Sequence, residues 1–241
     1  LEDYLQMEGL VFKLHPEEVE QLNYDKMVQN ISETSNYLNI IRDQEDYIAH
    51  MNTDNGTYRY TNLNNDKIFF NNNIHRLIQN YRSAFLQLCI DNIYSNRSDK
   101  KEKTLEILNQ MDSYFPPDIL PIRNVDLELQ IARLYKESGD EKEYRLRLEN
   151  QLNSNDLSLD NMFYIAQLYA QDLGDMDMAI SIYNNLRIEY PDEFEIVIAL
   201  VQIYSQMDRT DDALKLLNEW IMYHPNHKQS KEWLSLLKEM S

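Results

Sequence analysis

The sequence predicts a mainly α-helical protein: a right-handed α-α solenoid of about four helix pairs with a C-terminal capping helix, preceded by a small mixed α/β N-terminal segment. Two observations lead there. One helix-pair pattern is written twice between Asp160 and Pro225: Ala179 recurs as Ala213, Tyr183 as Leu217 and Pro191 as Pro225, each 34 residues on, while Tyr169 and Tyr204 fall one position out of step. Only four glycines and six prolines stand against 17 tyrosines and ten methionines, too few tight turns for a sandwich or barrel.

Residues 1–73 do not repeat and form the expected N-terminal segment; residues 74–241 form the expected helical repeat domain. Gly9 to Leu14, closed by Pro16, reads as a short strand, and Thr57 to Thr61 as a second, both aromatic or β-branched in part. Between them, Met27, Ile31, Leu38 and Ile41 give Tyr24 to Ile41 a helical spacing. Asn62, Asn64, Asn65 and Asn71 to Asn73 then mark a loop, because asparagine competes with regular structure by bonding nearby backbone.

The first helix pair begins with a long helix from about Ile74 to Tyr94, burying Leu77, Tyr81, Ala84, Phe85 and Leu88. Asp99 is the expected cap of its partner, whose apolar set is Leu105, Leu108 and Met111. Pro116, Pro117 and Pro121 end that unit, since proline fixes φ and lacks an N–H. The second pair spans Val125 to Leu152, turning at Gly139, with Tyr144 in the slot the later units fill with alanine; this predicts either a splayed pair or a shifted register. In the third pair one residue more than usual separates Tyr169 from Gly174, so its first helix should gain a residue before the turn. The fourth keeps register but places Asp208 at the turn, and Trp233, Leu236 and Leu237 define the face of the capping helix.

The period, the small residue, the aromatic and the terminal proline together resemble the tetratricopeptide repeat. In such a solenoid the first helix of each unit lines a concave face. The groove positions expected there are Leu129, Arg133 and Lys136, then Phe163, Gln167 and Gln171, then Ile198, Gln202 and Gln206, and the same face is expected to carry Glu137 and Glu195. Neutral amides with a few apolar groups suit an extended peptide or a neighbouring domain; the alternative is a solvated solenoid face.

The remaining signals narrow the function. A net charge of −18 argues against binding nucleic acid through phosphates and against an anionic membrane surface. The single cysteine, Cys89, sits in an apolar helical run and reads as a buried thiol. Asp172, Asp175 and Asp177 crowd one loop without calcium-loop spacing, and His224 and His227 stand three apart without further ligands, so neither a metal nor a cofactor is expected. No phosphate loop, nucleophile elbow or HExxH occurs, and 41 acids give no way to choose a catalytic pair. No apolar run is long enough to cross a membrane. The chain opens Leu1-Glu2-Asp3 without an initiator methionine, which predicts a removed leader or a piece of a longer protein.

Asp3 to Leu14 through Pro16, Tyr24 to Met27, and Asn80 to Phe85 ahead of the repeats are similar to the soluble C-terminal region of bacterial polytopic membrane proteins related to GT-C glycosyltransferases and protein O-mannosyltransferases. The resemblance implies a non-catalytic, extracytoplasmic (periplasmic) domain that binds an acceptor polypeptide or packs on its own membrane-embedded half. It carries over no catalytic residue, because the family's acidic motif belongs to the membrane half. The alternatives are a free-standing cytoplasmic tetratricopeptide adaptor and, last, an autonomous acidic hydrolase.

Overall fold

The structure, a computed structural model, describes residues 2–7, 10, 12–27, 60, 63–154 and 157–240. Among them are two short strands and nine α-helices, and the chain divides into two units, Leu1–Leu148 and Glu149–Ser241.

The first unit opens with β1 (Leu5–Met7) and β2 (Phe12–Leu14), an antiparallel pair with Leu5 opposite Leu14 and Met7 opposite Phe12. Of the strand expected over Gly9 to Leu14, Phe12–Leu14 is present as β2, Leu10 is a bend and Gly9 and Val11 lie outside the described residues; β1 is its unforeseen partner. The strand expected over Thr57 to Thr61 lies outside the described residues apart from Tyr60, and the helix expected to Ile41 lies outside them beyond its first turn at Tyr24 to Met27. Four helices follow: α1 (Asn72–Tyr94), α2 (Lys100–Tyr114), α3 (Val125–Ser138) and α4 (Glu141–Leu152), the last running four residues past the division.

The asparagine-rich stretch behaves as its chemistry dictates: the Asn71 side chain caps α1 by accepting from the backbone N–H groups of Asn73 and Ile74, both at 3.0 Å. The buried face of α1 holds Ala84, Phe85 and Leu88 as expected, with Tyr81 partly buried, but differs at its start. Leu77 is 51% exposed, while Ile78 and Arg82 are buried beside Phe85, Leu88 and Cys89. Asp99 occupies the N-cap position of α2 as expected, but its side chain makes no capping bond, because the carboxylate is held by Arg97 at 3.0 and 3.1 Å. Met27 and Tyr60 share the core of α1–α3, where the Tyr60 ring meets Phe115 edge-on at 4.8 Å. Tyr144 is fully buried, so its slot takes an aromatic ring in place of a methyl group.

The second unit contains α5 (Leu159–Asp172), α6 (Met176–Glu189), α7 (Phe194–Gln206), α8 (Thr210–Tyr223) and α9 (Lys228–Met240), each packed on the next. Its two helix pairs repeat in detail. Gly174 and Asp208, 34 apart, both turn the chain at positive φ, 63° and 58°. Asp208 tolerates a conformation that most side chains resist because its short polar group can bond locally. Tyr190 and His224, also 34 apart, end α6 and α8 with nearly the same dihedrals, φ −124°, ψ 68° and φ −123°, ψ 64°, both outside the α region that a following proline disfavours. The extra residue of α5 is where the spacing placed it: α5 has 14 residues and α7 has 13, and the excess is absorbed by a wide Leu173 N–H to Leu168 C=O bond of 3.3 Å.

Ala179 and Ala213 are both fully buried, consistent with a slot where helices approach closely. Ala213→Leu should therefore lower stability by about 1–3 kcal/mol through overpacking; an unchanged urea midpoint would remove this packing assignment. On α9 the inward face differs from the expected one: Ser230 and Leu237 are buried and Leu236 is 53% exposed, one position out of the i, i+3, i+7 row.

Candidate functional site: a groove on α5 and α7

Six of the nine expected positions come together in the second unit. Phe163, Gln167 and Gln171 descend α5 at four-residue spacing, and Ile198, Gln202 and Gln206 descend α7 the same way. They line one open groove of about 540 Å³. Corresponding residues are 35 apart, not 34, because the extra residue of α5 lies C-terminal to them. Side chains four apart stand above one another on a helix, so each helix contributes a stripe of one apolar side chain followed by two amides.

Gln171, Gln202 and Gln206 are exposed, and Phe163, Gln167 and Ile198 are half-buried. Tyr183 closes the groove floor: its ring meets Phe163 edge-on at 5.0 Å, and its hydroxyl donates to the Phe163 carbonyl at 3.4 Å. Burial pushes the Tyr183 phenol up, so it stays a donor at any ordinary pH. One end is rimmed by Asp192, Glu193 and Glu195, and the start of α9 adds His227 and Gln229. Glu195 was expected on this face, whereas the contributions of Asp192 and Glu193 from the α6–α7 turn and of His227 and Gln229 at the start of α9 were missed from sequence, although Pro191 and Pro225 mark where the chain must turn.

The histidine pair has structural work. His224 stacks on Trp220 at 4.0 Å, and His227 accepts the Ser230 N–H through Nδ1 at 3.2 Å while its ring lies 4.3 Å from Phe194. Asp175, from the aspartate-rich loop, caps α6 through the Met178 N–H at 3.1 Å. Among the described residues no group of three or more His, Cys, Asp or Glu side chains is placed to hold a metal.

The three expected positions in the first unit behave differently. Leu129 is 3% exposed, so it is a core residue and offers no contact surface; an apolar side chain gains more from burial than from lining open water. Arg133 is exposed, and the Lys136 ammonium lies 5.8 Å from the centre of the Tyr144 ring. Sequence reading also missed a buried ionic cluster there. Arg147 bonds Glu128 at 2.7 Å, Glu143 at 3.1 Å and Asp112, and its guanidinium lies 4.8 Å from the centre of the Tyr135 ring. The Tyr135 hydroxyl donates to the same Asp112 oxygen at 2.6 Å.

The fold and the groove define a class: a protein built of stacked antiparallel helix pairs, with an open groove on the first helices of its last two pairs. Residues 170–239 match the family model described as the tetratricopeptide repeat. Among solved structures, a tetratricopeptide repeat protein from Parabacteroides merdae is similar over 90% of this chain and 73% of its own, at 14% identity and a TM-score of 0.40. No curated protein matches. Among the described residues no helix is long and apolar enough to cross a membrane.

Proposed function

We propose that the second unit is a non-catalytic docking module that holds a neutral, extended stretch of another protein in the α5–α7 groove. The observation that carries this reading is the pair of matched stripes, Phe163-Gln167-Gln171 and Ile198-Gln202-Gln206, on neighbouring helices. Each glutamine amide offers both donors and an acceptor, the complement of a peptide backbone, and Phe163 and Ile198 supply an apolar floor. The groove lining has no lysine or arginine, and so no fixed cation to select an acidic ligand.

The test is binding to an array of uncharged extended peptides, read by fluorescence polarisation, for the wild type and for Gln167→Glu with Gln202→Glu. The double variant should bind its best peptides roughly tenfold or more weakly, because each added carboxylate removes amide donors and brings in a charge to be desolvated. Its melting temperature should be unchanged. Equal affinity would move the docking surface elsewhere.

The resemblance of residues 3–16, 24–27 and 80–85 to the C-terminal region of GT-C and protein O-mannosyltransferase-like proteins adds a setting to this reading. The chain would be the extracytoplasmic part of a membrane glycosyltransferase-like parent, docking an acceptor polypeptide or the parent's own membrane half. Hydrophobic spans encoded directly upstream of Leu1 would support that setting, whereas a start codon there would favour a free-standing adaptor.

A further inference from the structure

The chain carries 41 acids against 23 lysines and arginines, yet one cleft of about 440 Å³ in the first unit has no carboxylate in its lining. It lies on the first two turns of α1 and the segment leading into α3. His75, Arg76 and Gln79 come from α1, and Arg123 and Asn124 from the segment before α3. Arg76 and Arg123 make no ion pair among the described residues, and both are exposed.

Three further features point the same way. The Arg123 guanidinium donates to the Asn72 side-chain oxygen at 3.1 Å, which fixes Arg123 at the cleft and directs the Asn72 amide N–H groups away from that contact. Gln79 Oε1 is buried with no partner among the described residues; turning the amide over presents its N–H groups instead. The helix-end N–H groups are already served, Asn73 and Ile74 by Asn71 and Leu127 by Asn124, so binding here would fall to the side chains. His75 senses the local field: its pKa is lowered first by burial, then by the positive charges of Arg123 and Arg82, against a hydrogen bond to the Phe70 backbone that raises it.

We propose that this cleft binds a phosphate group, free or as the head of a phosphate monoester, between Arg76 and Arg123 with His75 beside it. Two fixed cations match the charge of a phosphate dianion, and guanidinium forks suit its tetrahedral oxygens. The cleft is larger than the phosphate group, leaving room for an ester substituent.

The test uses the full chain, with the histidine ring resonances read by NMR during titration with inorganic phosphate, phenyl phosphate, acetate, and sodium chloride at matched ionic strength. Phosphate should shift the His75 resonances saturably and raise the His75 pKa, because a bound anion offsets the field of Arg123 and Arg82. Tighter binding of phenyl phosphate identifies an esterified ligand, and equal binding identifies the free ion; both support the site. Arg76→Gln should weaken phosphate binding roughly tenfold, and Arg76→Gln with Arg123→Gln further still, with His224 and His227 unmoved. A His75 shift no larger than chloride gives, acetate binding as tightly as phosphate, or undiminished affinity in Arg76→Gln would overturn the proposal. Should the double variant fail to fold, the wild-type titration and the single variant decide.

Discussion

Arg147→Met lowers the stability of the first unit by about 3–5 kcal/mol, the cost of removing one partner from a buried charge cluster. Arg147 is 3% exposed and Glu128 is 6% exposed, so neither can turn to water when the other is lost. Burial on its own would lower the Arg147 pKa, but the carboxylates of Asp112 and Glu128 outweigh it and raise the pKa, keeping the guanidinium charged. Burial pushes the Glu128 carboxyl up against the opposing pull of Arg147, so deleting the arginine leaves a carboxylate with little to hold its charge. Tyr135 would also lose the cation near its ring while still donating to Asp112.

The cluster ties three helices together, with Asp112 on α2, Glu128 on α3, and Glu143 and Arg147 on α4. The destabilisation should therefore appear as faster amide exchange across α2, α3 and α4, and as an earlier urea transition by tyrosine fluorescence. Both tryptophans, Trp220 and Trp233, lie in the second unit, so their emission serves as the internal reference. Removing the two more buried acids as well, by Arg147→Met with Glu128→Leu and Asp112→Asn, should recover much of the loss, because a buried ionic group replaced together with its partners costs far less than one broken, and Glu143, with a side chain 31% exposed, can turn to water. A single-variant loss below about 1 kcal/mol would mean that water reaches the cluster and screens it.

What was legible in the sequence follows from which residues repeat. Ala179 and Ala213 recur because close packing between helices demands a small side chain at the same place, Tyr183 and Leu217 keep that row apolar, and the prolines recur where each pair must end. The groove positions of α5 and α7 are fixed relative to those residues by helical geometry, so Phe163, Gln167 and Gln202 could be placed without seeing them. Arg147 and Arg82 could not, since nothing local distinguishes a buried arginine from the exposed ones, and the groups that bury them, Asp112 and Glu128 for Arg147 and the Phe115 and Leu120 carbonyls for Arg82, are distant in sequence. The same blindness explains α1, where apolar periodicity selected Leu77 for the interior while the interior holds Arg82. Leu129 fell the other way: it occupies a groove position by register, but its own side chain is buried, while Arg133 one turn on is exposed.

Arg82→Leu carries the second large effect, a loss of about 2–5 kcal/mol, and it follows from the prolines. Arg82 is 1% exposed, and one guanidinium nitrogen donates to the carbonyls of Phe115 at 2.9 Å and Leu120 at 2.6 Å. Both carbonyls immediately precede proline, in the run Phe115-Pro116-Pro117-Asp118-Ile119-Leu120-Pro121. Three of the next six backbone positions after Phe115 lack an N–H, so the turn is short of donors and the side chain of α1 supplies what its backbone cannot. Burial draws the Arg82 pKa down to about 10, which leaves it cationic at neutral pH, and its buried Nε finds no acceptor among the described residues. The arginine is thus costly to bury and is retained for two carbonyls. Leucine removes the charge penalty but strands both acceptors, each at about 1–3 kcal/mol, so the balance is a net loss. Urea unfolding of the variant, with amide exchange at Ile119 and Leu120, reads it directly: those two amides bond the Pro116 carbonyl at 3.1 and 2.8 Å and should be among the first to exchange when the turn loosens. Retained protection at both amides together with unchanged stability would mean that the prolines hold the turn without Arg82.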